Sequence, residues 1–133
     1  MKSVSTLSVV RIFQALRYSA QGLHLAWKEE AAFRQEILLF ALLAPVTIWL
    51  QLPAISTVLL GILMALVLAV ELLNSGLEAL VDKLIPEIHP LAGKAKDCSS
   101  AAVLMVMSAF IGSWLALAGP SMWKVILEIY KNF

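Results

Sequence analysis

The chain has 133 residues, 61% of them hydrophobic and 14% charged, with a net charge of +1. A mean hydropathy of +0.88 excludes an ordinary soluble domain and fits a small, single-domain membrane protein. The balanced charge gives no footprint for nucleic acid. His24 and His89 lie too far apart in sequence to read as a metal pair, and the single cysteine, Cys98, excludes an internal disulfide.

Met1 to Val10 lacks a basic region followed by an apolar core and a small-residue cleavage site, so no removable signal peptide is expected. Val9, Ile12, Phe13, Leu16, Ala20, Leu23 and Trp27 then recur at helical spacing, with Arg11, Gln14, Arg17 and Gln21 on other faces. That pattern predicts an amphipathic helix over 6–28 lying in the membrane interface. The first bilayer span is expected over 31–52, with Pro45 kinking it rather than breaking it. Gln51-Leu52-Pro53 makes a short turn, and the second span covers 54–82. A loop containing Pro86 and Pro90 occupies 83–96, and the third span runs over 97–119, where Gly119-Pro120 stops it. The tail 120–133, with Trp123, Tyr130 and Phe133 among Lys and Glu, reads as a second interfacial anchor. The expected fold class is therefore all-α integral membrane, with three transmembrane helices and an N-terminal surface helix.

Basic residues set the orientation. Lys2, Arg11, Arg17, Lys28 and Arg34 precede or open the first span, and Lys83, Lys94 and Lys96 lie in the second loop. The first turn has none and the tail has Lys124 and Lys131, so the N-terminus and second loop should be cytoplasmic.

Glu71 closes the apolar run Ile55 to Val70, and Glu71, Asn74, Glu78 and Asp82 fall on one helical stripe. Ionisable groups at membrane depth cost several kcal/mol, which makes them functional candidates. Glu71 and Glu78 are separated by about 10 Å along the axis, too far to share a proton. The spacing suits two tasks at two depths: a base near the bilayer boundary and a metal ligand above it. A polar seam joining helices in an oligomer is the other reading. Two further clusters stand at the same cytoplasmic level. Glu30, Arg34 and Gln35 open the first span, and Gly93 to Ser100 opens the third. Either can be an ordinary charged flank, yet carboxylates near lysines are also what a metal-bound polyphosphate requires. No Walker pattern or Gly-x-Gly-x-x-Gly is present.

Glu71-x-x-Asn74-Ser75-x-x-Glu78-x-x-x-Asp82, followed by Gly93-x-Ala95-Lys96-Asp97-x-x-Ser100, resembles bacterial diacylglycerol kinase. So does Glu30-Ala31-Ala32-Phe33-Arg34-Gln35-Glu36, preceded by Gly22-Leu23-x-x-Ala26-Trp27. The similarity runs without a gap from about Arg11 to the end of the third span. It implies a homotrimer in the bacterial inner membrane, with active sites shared between subunits, that transfers the γ-phosphate of MgATP to diacylglycerol. On that resemblance Glu71 is the catalytic base, with Asn74 and Asp97 in the catalytic set. Asn74 and Asp82 support the site's geometry, Lys96 and Asp97 stand at the nucleotide's phosphates and purine, and Glu30 and Glu78 hold Mg²⁺. Arg11, Tyr18, Glu30, Glu78, Glu87, His89, Lys96 and Asp97 would bind ATP. Arg11, Ala15, Gln35, Glu36, Trp49, Glu71, Ser100 and Trp114 would meet the lipid. Glu29 stands where the family usually has asparagine, Ile88 where it has tyrosine and His24 where it has arginine. Pro90 is unusual, and the tail is longer than typical. An undecaprenol kinase shares this framework, and a small proton-coupled transporter or a structural membrane subunit are rivals of other classes.

Overall fold

A computed structural model describes residues 9–132. Four α-helices follow in order: α1 (Val9–Glu29), α2 (Ala31–Trp49), α3 (Ala54–Leu84) and α4 (Pro90–Lys131). The last three are long and apolar enough to cross a membrane. Of the helix expected over 6–28, the part before Val9 lies outside the described residues, as does Phe133.

A single residue separates α1 from α2. Glu30 is extended (φ −100°, ψ 114°), and its N–H bonds the carbonyl of Ala26 at 2.9 Å. Arg34 holds this elbow by donating through one guanidinium nitrogen to the carbonyls of Trp27 (2.9 Å) and Lys28 (3.1 Å). Those carbonyls belong to the last turn of α1, which has no intrahelical partners for them and carries partial negative charge. Arg34 is thus a helix cap as much as a flank anchor. At the other end of α2, Gln51 takes a left-handed φ of 51° to reverse the chain, and α3 begins at Ala54 behind Pro53.

Each spanning helix turns one face inward. Phe33, Glu36, Phe40 and Thr47 are buried on α2, and Leu60, Val67 and Glu71 on α3. Phe40, Leu60, Val67 and Phe110 form the core, with Phe40 and Phe110 edge to face at 5.0 Å between ring centroids. Contact with α3 is the most extensive that α4 makes. Outer faces leave Leu38, Leu42, Ile62, Leu66 and Leu104 exposed, which suits a lipid surround.

Two boundaries differ from expectation. The loop is not 83–96: α4 starts at Pro90, leaving only 85–89 between α3 and α4. Proline suits the first helical position because its missing N–H would have no partner there, and His89 caps the turn by accepting from the Leu91 N–H (3.2 Å). Nor does Gly119-Pro120 end the helix, for α4 continues through Pro120 to Lys131. A proline removes one backbone bond, here to the carbonyl of Ala116, without abolishing the ladder on either side. The tail is consequently an extension of α4 and not a separate helix.

Candidate active site

The stripe on α3 runs from the apolar core to the polar end of the helix. Leu60 and Val67 lie in the core, and one turn further the same face presents Glu71, which is only 4% exposed. Facing it from α2, between Phe33 and Phe40, is Glu36 at 7% exposure. The charge of Glu71 acts on Glu36, and those of Glu30 and Glu78 act on Glu71. Four carboxylates from the elbow, α2 and α3 therefore gather around one end of the bundle. Two buried acceptors there, Glu36 Oε2 and Asn74 Oδ1, have no hydrogen-bond partner among the described residues. Buried polar atoms are nearly always paired, which makes these two oxygens candidates to accept from a donor or to meet a cation.

One turn above Glu71, Asn74 Nδ2 donates to Glu78 Oε1 at 3.3 Å. Another turn on, Asp82 accepts from Lys96 Nζ with both oxygens, at 3.0 and 3.2 Å, tying α3 to the first turns of α4. These turns precede the apolar part of α4. The bond to Asp82 is the main cause holding the Lys96 ammonium above its ordinary pKa. Desolvation opposes it, and the charges of Asp82 and Glu78 add to it.

Beside the stripe, a cleft of about 570 Å³ opens between α1 and α3. Ser19, Gly22 and Ala26 line it from α1, Ser75, Gly76 and Ala79 from α3, and Glu29 and Glu30 from the elbow. Leu23, Leu25 and Leu72 complete the lining, and a Cβ added at Gly22 or Gly76 would meet nothing within 4 Å, so the small residues leave open space between the helices. The single extended residue at the elbow is what turns the Glu30 side chain toward this space.

Glu30, Glu36, Glu71, Asn74, Glu78, Asp82 and Lys96 are thus brought together. Other predicted residues are not. Arg11, Ala15 and Tyr18 are exposed on α1 and do not line the cleft. Gln35, Trp49, Ser100 and Asp97 are exposed, as are Glu87 and His89 in the short link. Trp114 is half-buried, far from the acids, and its indole is engaged by Thr47. Glu36 as a direct neighbour of Glu71, and the Asp82–Lys96 pair, were missed in the sequence. For Glu36 a signal existed: an acid spaced by three and four residues from Phe33 and Phe40 on an inward face.

Among the described residues no three His, Cys, Asp or Glu side chains converge as a metal cage. Mg²⁺ does not need one, because it is commonly held by one or two carboxylates together with substrate phosphates and water. Glu30 and Glu78 each stand near Glu71, and the unpartnered Asn74 oxygen lies beside Glu78; all three are hard-oxygen donors of the kind Mg²⁺ accepts.

Fold and site together define a multi-pass helical membrane protein whose acids meet at one end of the bundle. The profile of prokaryotic diacylglycerol kinase matches residues 17–118. Diacylglycerol kinase of Escherichia coli strain K12 is 44% identical over 113 residues, covering 85% of this chain and 93% of the relative. Those of Haemophilus influenzae (40% over 102 residues, 77% and 86% coverage) and Pseudomonas aeruginosa (40% over 107 residues, 80% and 87%) are similar along most of their length. The chain belongs to the prokaryotic diacylglycerol kinase family.

Proposed function

We propose that this protein transfers the γ-phosphate of MgATP to the hydroxyl of diacylglycerol, giving phosphatidic acid and ADP. It does so at the cytoplasmic boundary of the bacterial inner membrane, as a homotrimer whose active sites are shared between subunits. The observation that carries the reading is the nearly buried Glu71 carboxylate on a bilayer-length helix, with Glu30 and Glu78 acting on it from the water side.

In this reaction the lipid hydroxyl gives its proton to Glu71 as its oxygen bonds to the γ-phosphorus, and the bond from that phosphorus to the bridging oxygen of ADP breaks in line. Glu71 is placed at the depth where a lipid hydroxyl resides, whereas ATP comes from water, about two turns higher. Glu30 and Glu78 are the residues to hold Mg²⁺, which when bound offsets the charge of the phosphates. Lys96 adds a positive charge on the same side, and Asn74 orients Glu78 through its amide. Sharing of sites between subunits supplies a reason why Arg11, Tyr18, Gln35 and Ser100 stand exposed on a single chain.

Purified protein in mixed micelles with labelled MgATP, offered diacylglycerol or undecaprenol, tests the proposal. Label is expected in phosphatidic acid. Transfer to undecaprenol alone would reassign the acceptor, and transfer to neither lipid would sink the kinase reading.

A further inference from the structure

The Asp82–Lys96 pair joins two antiparallel helices across the short link 85–89. It is water-accessible, with side-chain exposures of 66% for Asp82 and 35% for Lys96. Exposed pairs of this kind contribute between nothing and about 1 kcal/mol to stability. A stabilising role is therefore a weak explanation of the contact, and its geometry suggests a better one. Lysine is a point charge on a flexible four-carbon stem, so an unguided ammonium loses much rotamer freedom when it must meet a ligand. Here the ammonium is already fixed against both Asp82 oxygens, and it feels the charge of Glu78, one turn back on the same stripe. An ammonium has three N–H donors, and contact with one carboxylate leaves at least one of them free for another acceptor.

We propose that Asp82 is a positioning residue for phosphoryl transfer, acting through Lys96: it holds the ammonium beside Glu78 so that the remaining N–H donors meet the phosphates of the metal-bound nucleotide. This rests on the kinase reading and adds to it a division of labour along α3. Glu71 serves the lipid, Glu78 the metal, and Asp82 the lysine that meets the phosphates. Asp82 itself touches neither substrate.

Equilibrium binding of labelled MgATP to the full-length protein in micelles provides the test, alongside kcat and both KM values. Asp82→Asn keeps the size of the side chain and removes its charge. It is expected to weaken MgATP binding about tenfold, the scale of one coupled contact, with the lipid KM unchanged and with Asp82→Glu restoring much of the loss. In a Lys96→Met background Asp82→Asn should have no further effect. Unchanged MgATP affinity, or an equal loss with Lys96 already gone, overturns the proposal. So does a variant whose folded fraction binds normally while its thermal stability or assembly falls, since that marks a structural staple.

Acylation of Lys96 by an amine-selective reagent at alkaline pH reports the pair without any phosphate transfer. It should be several-fold faster in Asp82→Asn, because the free amine is more populated, and an unchanged rate overturns the pairing on which the role depends. A wild-type protein that shows this difference but binds no MgATP removes the kinase reading, and this role with it. Normal catalysis with affinity indifferent to Asp82 removes only the role.

Discussion

Trp114 Nε1 donates to Thr47 Oγ1 at 3.1 Å, joining α4 to α2 just beyond Pro45. The Thr47 hydroxyl in turn donates to the carbonyl of Leu43 at 2.8 Å, four residues back. Thr47 is 3% exposed, so this relay is a polar contact that crosses between helices in the depth of the bundle. Its two partners are not equivalent. Thr47→Val removes the acceptor and leaves the indole N–H unpaired, at a cost of about 1–3 kcal/mol. Trp114→Phe removes the donor and should cost less for the hydrogen bond itself, and Phe in the double variant should recover part of the valine loss. Thermal unfolding in micelles checks the order. If Trp114 lines the lipid's path, as the resemblance implies, Trp114→Phe will also raise the KM for diacylglycerol. A changed stability with constant KM would make it purely structural.

Glu71→Gln tests the base. The amide has nearly the size of the carboxylate it replaces at this buried position, so fold and assembly should persist. Turnover should fall by about 10²–10⁴, the usual contribution of a general base, with MgATP affinity near that of the parent. Single-turnover transfer of labelled phosphate reads this directly, and near-normal turnover takes Glu71 out of the role.

Glu78→Gln and Glu30→Gln should act on the metal instead. Mn²⁺ binding in the presence of ATP, followed by electron paramagnetic resonance, gives a readout independent of turnover. Each variant is expected to weaken it by roughly 10-fold or more, the low end for lost ligands and their supports. If the only consequence is loss of the oligomer, the acids are a seam between helices and not a site.

Lys96 predicts a flat response to pH where most enzymes change. Its folded pKa lies above the ordinary lysine value of about 10.4 because of the bond to Asp82. The contribution of its charge is thus fully present below the unfolded pKa and is lost as pH rises through the folded one. MgATP affinity should show no loss attributable to this lysine up to about pH 10, and Lys96→Arg should extend the plateau. A loss in wild type near pH 8–9 that Lys96→Arg abolishes would mean that the ammonium is not held as described.

Much of this architecture was legible because hydrophobic runs, caps and charge bias each act locally. The start of α3 behind Pro53 and the passage of α2 through Pro45 follow from backbone chemistry alone. The stripe Glu71–Asn74–Glu78–Asp82 was visible as a helical period, and the family resemblance was carried by the same residues. What faced the stripe was not visible, since pairing of Lys96 with Asp82 and of Thr47 with Trp114 depends on how helices pack. In the sequence, both prolines of α4 look like punctuation. Pro90 instead fills the first helical position, and Pro120 sits inside the ladder.

Continuous from Pro90 to Lys131, α4 has a length of about 63 Å, roughly twice the hydrocarbon core of a bilayer. Residues after Ala118 lie beyond the family match, yet Ala118 is fully buried and Ser121, Met122 and Val125 are half-buried. The extension thus keeps some side chains partly covered for a further turn. Pro120→Ala restores an N–H to the carbonyl of Ala116 and removes the ring's clash with it. If the helix is as continuous as described, the variant should be more stable, by up to about 3 kcal/mol, the cost of a proline in a helix interior. Kinase activity should not change. Unfolding in micelles measures the gain, and amide exchange at residues 117–124 should slow in step. Destabilisation would show that a bend at Pro120 is part of how the extension packs, because straightening the helix would then pull Met122 and Val125 from their neighbours.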